Sequence, residues 1–195
     1  DGVIGVSDIL GVLSTFGETW DSGDTMVIEI TPITNDNIHE AVDFWLSDEC
    51  SATLTYGHIS DWDVSSVTDM SVLFLSSNFN EDISSWDVSN VTIMAWMFAQ
   101  NSDFNGDLSS WDVSNVSDIR WLFENSHSFN GDLSTWDISN VTNMEGLFSG
   151  AYSFNGDLSA WDVSSVLEMQ NMFFGASSFN GDISDWDVSS TIGLS

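Results

Sequence analysis

Cations are almost missing from this chain of 195 residues: a single basic side chain, Arg120, stands against 31 aspartates and glutamates. The formal charge of −30 repels phosphate backbones and anionic membrane surfaces, which excludes nucleic acid as a partner. Surface ion pairs cannot hold the fold together, because their positive halves are absent. Cysteine occurs once, at Cys50, which rules out an intrachain disulfide and a cysteine-based zinc cluster. A lone thiol of this kind reads as a small buried apolar residue. No apolar run approaches the roughly 20 residues of a bilayer span, so membrane insertion is excluded too. Catalytic signatures are equally lacking. There is no Gly-x-Ser-x-Gly elbow, no His-Glu-x-x-His helix and no phosphate loop. His39, His58 and His127 lie in unrelated contexts. These absences predict a protein that is not an enzyme.

What the chain does have is a repeat. Trp62, Trp86, Trp111, Trp136, Trp161 and Trp186 follow one another at intervals of 24, 25, 25, 25 and 25 residues. Phe79, Phe104, Phe129, Phe154 and Phe179 keep a strict spacing of 25. The aspartates Asp82, Asp107, Asp132, Asp157 and Asp182 do the same. Chance does not hold so many columns in phase. A unit of this size cannot bury its own indole and phenyl rings, but stacked units can share them in one continuous core. The tryptophans and phenylalanines of these columns are therefore assigned to structure.

Two periodicities occur within a unit. In Ile83-Ser84-Ser85-Trp86-Asp87-Val88 the Trp and Val alternate with polar residues, which predicts a short strand. Val91, Met94, Met97 and Phe98 then mark one face of about two helical turns. Ser89 or Asn90 stands where a helix cap is expected. Asn105-Gly106 supplies a turn in which glycine can take a positive φ. Each coil is thus predicted to run strand, turn, short helix, turn. Upstream, Asn35 or Asp36 can cap an amphipathic helix with apolar positions Ile38, Ala41, Val42, Trp45 and Leu46. Such a helix would cover the open end of the first coil.

The segment Phe104-Asn105-Gly106-Asp107-Leu108-Ser109-Ser110-Trp111-Asp112-Val113-Ser114-Asn115-Val116 resembles the repeats of BspA-like leucine-rich repeat surface proteins, the DUF285 group. The resemblance extends to Ala41-Val42-Asp43-Phe44-Trp45 and to Tyr56-Gly57-His58-Ile59-Ser60-Asp61-Trp62, and so spans about residues 33 to 195. It implies an extracellular or cell-surface location, a role in binding or adhesion, and no catalytic residues. The fold expected is an α/β repeat solenoid of leucine-rich-repeat-like coils, each a short strand plus a short helix, with an N-terminal helical cap. The first residues resemble something else. Asp1-Gly2-Val3-Ile4-Gly5-Val6-Ser7-Asp8 is similar to the second half of a dockerin-type calcium loop, which would make Asp1, Val3 and Asp8 candidate ligands. The chain divides accordingly into a partial dockerin-like segment (1–17), a linker with a short strand (18–34), a helical cap (35–58) and the repeats (59–195).

The aspartate columns pose the electrostatic question. Asp87, Asp112, Asp137 and Asp162 would stand about 4.8 Å apart if neighbouring coils stack like strands, and would repel one another. Either backbone N–H groups in each turn offset that repulsion, or calcium does, with these aspartates as ligands. The asparagine column from Asn80 to Asn180 reads as a ladder satisfying backbone groups. Trp96 and Trp121 fall outside the main tryptophan column and are candidates for a small aromatic binding strip. No cofactor is required, though calcium is possible. Two functions are weighed beside the adhesive or recognition role. One is a structural subunit that assembles head-to-tail into a filament or surface layer through bare coil ends. The other is a glycan-binding module. The expected partners are a protein or glycan ligand, or copies of the chain itself.

Overall fold

The 25-residue register persists in three dimensions. The computed structural model describes residues 29–192, and in it each coil lies on the one before. Isolated parallel bridges join Asp69 to Ile93, Ile93 to Asp118, Asp118 to Asn143 and Asn143 to Glu168, one repeat per step. Phe104, Phe129 and Phe154 stack with near-parallel rings at 5.9 and 6.0 Å. Phe98, Phe123 and Phe148 make a second stack at 5.7 and 5.8 Å. Within each coil the two stacks touch, with ring centres 3.8 Å apart. The tryptophan column is buried beside them from Trp62 to Trp161. Burying an indole leaves its N–H in need of a partner. The preceding coil provides one: Trp111 donates to the Ile83 carbonyl at 3.2 Å, Trp136 to Leu108 at 3.0 Å and Trp161 to Leu133 at 3.0 Å.

The content of each coil is not the strand and helix that the sequence pattern predicts. Among the described residues the coils contain no helix, and β-pairing between them is limited to isolated bridges, with no named strand and no sheet. The expectation of an α/β solenoid is therefore wrong. The strand fails because its polar residues make turns of their own. Asp82 and Asp87 each accept the amide of the serine two residues on, at 3.0 and 3.1 Å. Between them the Trp86 amide closes a turn on the Ile83 carbonyl at 3.1 Å. This local side-chain-to-backbone bonding outcompetes extended pairing.

The helix fails for a backbone reason. Trp96 and Gln100 have φ of 62° and 56°, and Trp121 and Asn125 have 56° and 54° in the next coil. Such left-handed residues cannot lie inside a right-handed helix. The amides of Met94, Trp96, Phe98 and Gln100 instead donate to the carbonyls of Asp118, Arg120, Leu122 and Glu124 in the following coil, at 3.0, 3.1, 3.0 and 2.6 Å. The intervening amides of Met97, Ala99 and Asn101 close turns three residues back. Half of the bonds a helix would need are thus spent on stacking. Val91, Met94, Met97 and Phe98 are still all buried, as the apolar spacing requires, but on a chain of turns. Asn90 caps no helix; its Nδ2 donates to the Ser65 carbonyl one coil back, at 2.8 Å. Gly106 is not among the positive-φ residues. Its use is close approach, since a Cβ there would meet the Phe104 ring at 3.0 Å.

Helix among the described residues is confined to the N-terminal end. Helix α1 spans Ile38–Ser47 and α2 spans Glu49–Tyr56, followed by a 3-10 turn at Ile59–Asp61. Ile38, Ala41, Val42 and Trp45 of α1 are buried, whereas Leu46 is exposed. The indole of Trp45 meets Trp62 edge-on at 6.1 Å, so the first ring of the tryptophan column is covered. Asn37, not Asn35 or Asp36, precedes α1. Asn35 serves the join instead: its Oδ1 accepts the Thr68 and Asp69 amides at 2.9 and 3.2 Å. Cys50, expected to be buried, is exposed on α2. The candidate calcium-loop residues Asp1, Val3 and Asp8, and residues 18–28 of the linker, lie outside the described residues.

Candidate functional site

The Asp-x-Ser pairs dictate the surface chemistry of the coils. Each aspartate begins an Asx turn, with its carboxylate folded back on the serine two residues later. Asp112 accepts the Ser114 amide at 3.1 Å and the Ser114 hydroxyl at 2.6 Å. Asp107 accepts the same pair from Ser109 at 3.0 and 2.7 Å. The amide bond recurs at Asp137 with Ser139 and at Asp162 with Ser164, at 3.1 and 3.0 Å. In Asp63, Asp82 and Asp112 the serine hydroxyl, and after it the serine amide, hold the carboxyl below its ordinary range. Repulsion within a column is present but smaller. At Asp132 the Ser134 hydroxyl and amide lower the pKa against the opposing charges of Asp107 and Asp157. Turn chemistry thus offsets at least part of the cost of aligned carboxylates. Among the described residues no group of three or more His, Cys, Asp or Glu side chains is placed to hold a metal ion.

The asparagine column forms a ladder between coils. Asn80 Oδ1 accepts the Asn105 amide at 2.9 Å, Asn105 accepts that of Asn130 at 2.8 Å, and Asn130 accepts that of Asn155 at 2.8 Å. Trp96 and Trp121 are brought together, with ring centres 5.2 Å apart and planes 17° from parallel. Both are half-buried. The backbone of Gly146 lies against Trp121, where an added Cβ would come within 2.1 Å of the indole. Trp121 is therefore covered by Trp96 from the preceding coil and by Gly146 from the following one, leaving ring edges for a ligand.

A family model described as Mycoplasma protein of unknown function, DUF285, matches residues 45–145 and again 131–195. The chain belongs to the DUF285 family. No curated protein and no solved structure matches it.

In a DUF285 chain so regular, departures from the repeat are the informative positions. Glu124 stands where neighbouring coils have Ala99 and Ser149. Its Oε1 accepts from Asn125 Nδ2, while its Oε2 is buried with no partner. Burial raises its pKa, against smaller lowering effects from Gln100 and His127. His127 lies face to face with Tyr152, ring centres 4.5 Å apart, and its Nδ1 is 3.3 Å from the Ser102 hydroxyl. This patch was not singled out by repeat columns. Only the break in column identity at residues 124, 127 and 152 points to it. Arg120 is exposed and sits 3.4 Å from Asp118. His39 and His58 serve the cap: His39 Nε2 lies 2.9 Å from the Ser71 carbonyl, and His58 packs edge-on to Trp45 at 4.9 Å.

Proposed function

We propose that this DUF285 protein is a non-catalytic surface module that recognises protein partners or mediates adhesion outside the cell. The observation that supports this reading is the repetition of the same side chains at every coil. A reaction needs one unique constellation, whereas a recognition face can be long and periodic. The Asp-x-Ser turns and the asparagine ladder present such a face: rigid, polar and strongly negative. Long-range charge excludes anionic partners and favours ones with exposed basic groups. No cofactor is needed in this reading. No helix of the described residues is long and apolar enough to cross a membrane.

The arrangement of the ends weighs against head-to-tail assembly of folded copies. The N-terminal face of the stack is covered by α1 and the Ile59–Asp61 turn, which would have to leave. A glycan site on Trp121 is also less favoured, because Trp96 and Gly146 cover its faces and sugar stacking needs a free one. The test is to immobilise the protein and measure binding to a panel of extracellular proteins and to a glycan array. Saturable protein binding that survives Trp96→Ala with Trp121→Ala supports the proposal. Glycan binding lost in that double variant would reassign the function, and turnover of a bound glycan or peptide would end the non-catalytic reading.

A further inference from the structure

One column of the coils is filled against backbone preference. Val72, Trp96 and Trp121 take φ of 58°, 62° and 56°, at the place where later coils have Gly146 and Asn171. Glycine and asparagine enter this left-handed region at least cost, whereas a β-branched or bulky side chain is strained there. Core burial does not offset the strain. Val72 is 43% exposed, and Trp96 and Trp121 are only half-buried. Leu75, whose amide closes a turn on the Val72 carbonyl at 3.2 Å, is 38% exposed. The indole N–H groups differ in the same way. Trp62, Trp86, Trp111, Trp136, Trp161 and Trp186 each donate to a backbone carbonyl. Those of Trp96 and Trp121 meet no acceptor among the described residues, and neither is buried. Strain kept at an exposed apolar place points to function rather than to folding.

We propose that Val72, Leu75, Trp96 and Trp121 form the apolar anchor point of the recognition face, for a protein segment in which a large aliphatic side chain stands between arginines or lysines. This assignment rests on the protein-recognition reading and gives it a place on the molecule. Charge complementarity selects the occupant. Asp118 lies three residues before Trp121, and the Trp121 amide donates to the Glu145 carbonyl at 2.7 Å. The one cation nearby, Arg120, is engaged by Asp118 at 3.4 Å. On a molecule of charge −30 an acidic partner is repelled and a basic one is drawn in. The ring edges and free N–H groups suit aliphatic side chains and backbone carbonyls of a bound segment. Tryptophan in such a place carries a large share of binding energy.

The test titrates the full chain with a synthetic peptide alternating Arg with Leu, and with an Arg–Ser peptide of equal length and charge, at about 0.15 M salt. The expected result is binding of the Arg–Leu peptide at least about tenfold tighter. Val72→Asn with Leu75→Asn should remove that preference, leave Arg–Ser binding unchanged and not lower the denaturant midpoint. A merely structural role would not combine lost preference with retained stability. Leu75→Asn alone, at an exposed position, repeats the measurement should the double variant not fold, and should weaken the preference. Trp96→Ala with Trp121→Ala should remove it too, while weaker binding through the polar face stays saturable. Equal binding of the two peptides by the parent overturns the assignment, and so does a preference that all these variants keep. Both results leave protein recognition itself standing; that reading fails separately, if the parent binds no extracellular protein. Glycan binding that Val72→Asn with Leu75→Asn abolishes would also overturn the assignment, since the strip would then serve a sugar.

Discussion

Val72 has a φ of 58°, a left-handed conformation that a β-branched side chain rarely adopts. The same column holds Trp96, Trp121, Gly146 and Asn171, all at positive φ. Asparagine tolerates this region where valine is strained, so Val72→Asn should stabilise the protein by about 1 kcal/mol. Denaturant unfolding measures it, and an unchanged or lowered midpoint would refute the strain. Gly146 is the opposite case, needing both its positive φ and its missing Cβ. Gly146→Ala should cost about 3 kcal/mol, from backbone strain plus collision with Trp121. In a Trp121→Ala background the collision disappears and the loss should shrink to about 1 kcal/mol. Equal losses in both backgrounds would mean that the indole does not lie on Gly146.

At the scale of the coil, the turn is held by an acceptor and not by a charge. Asn143 shows this: its Oδ1 accepts the Glu145 amide at 3.0 Å, where Asp69 and Asp118 accept the amides of Ser71 and Arg120. Asp132→Asn should therefore keep the melting temperature of the parent at pH 7, whereas Asp132→Ala should lower it. Lower stability in both variants would make the negative charge itself essential. The pH dependence follows from the direction of the shift. A carboxyl whose folded pKa is depressed adds stability above its unfolded value, and that contribution is lost as pH falls through the folded one. The parent should lose stability relative to Asp132→Asn as pH drops below about 4. Glu124 has the reverse sign. Its raised pKa means that stability is lost as pH rises from the unfolded value, near 4.3, through the folded one. Glu124→Gln should thus melt higher than the parent at pH 7 and match it below pH 4.

How much of the coil was legible in sequence follows from the same residues. Trp and Phe columns gave register and core, since burial depends only on which positions are apolar. Those columns do not fix the backbone path, because alternation and i, i+3, i+7 spacing are also satisfied by successive turns. Gly146, Gly150, Asn171 and Gly175 carry the missing signal. Glycine and asparagine at two columns four residues apart mark left-handed positions, which no helix could hold. The cover of Trp121 by Gly146 joins neighbouring members of one column across adjacent repeats, and no single unit displays it.

For the whole molecule, the N-terminal cap and the net charge weigh most on stability. Trp45 closes the N-terminal face, so Trp45→Ala should cost about 3 kcal/mol and expose Trp62, visible as a red-shifted fluorescence. The charge of −30 acts against compactness everywhere at once. The carboxylates that carry it are mostly at the surface, and their mutual repulsion is screened over about 10 Å at 0.1 M salt. Monovalent salt should therefore raise Tm steadily. A resident calcium site would behave differently, adding a saturable rise at low concentration that chelator reverses. The serine bonds to each aspartate, and the lack of any group of three candidate ligands among the described residues, predict no such rise at matched ionic strength. A calcium titration of Tm in constant salt distinguishes the two. A saturable increase that magnesium does not reproduce would show that the aspartate columns hold an ion after all, and that the Asx turns are only part of what keeps aligned carboxylates together.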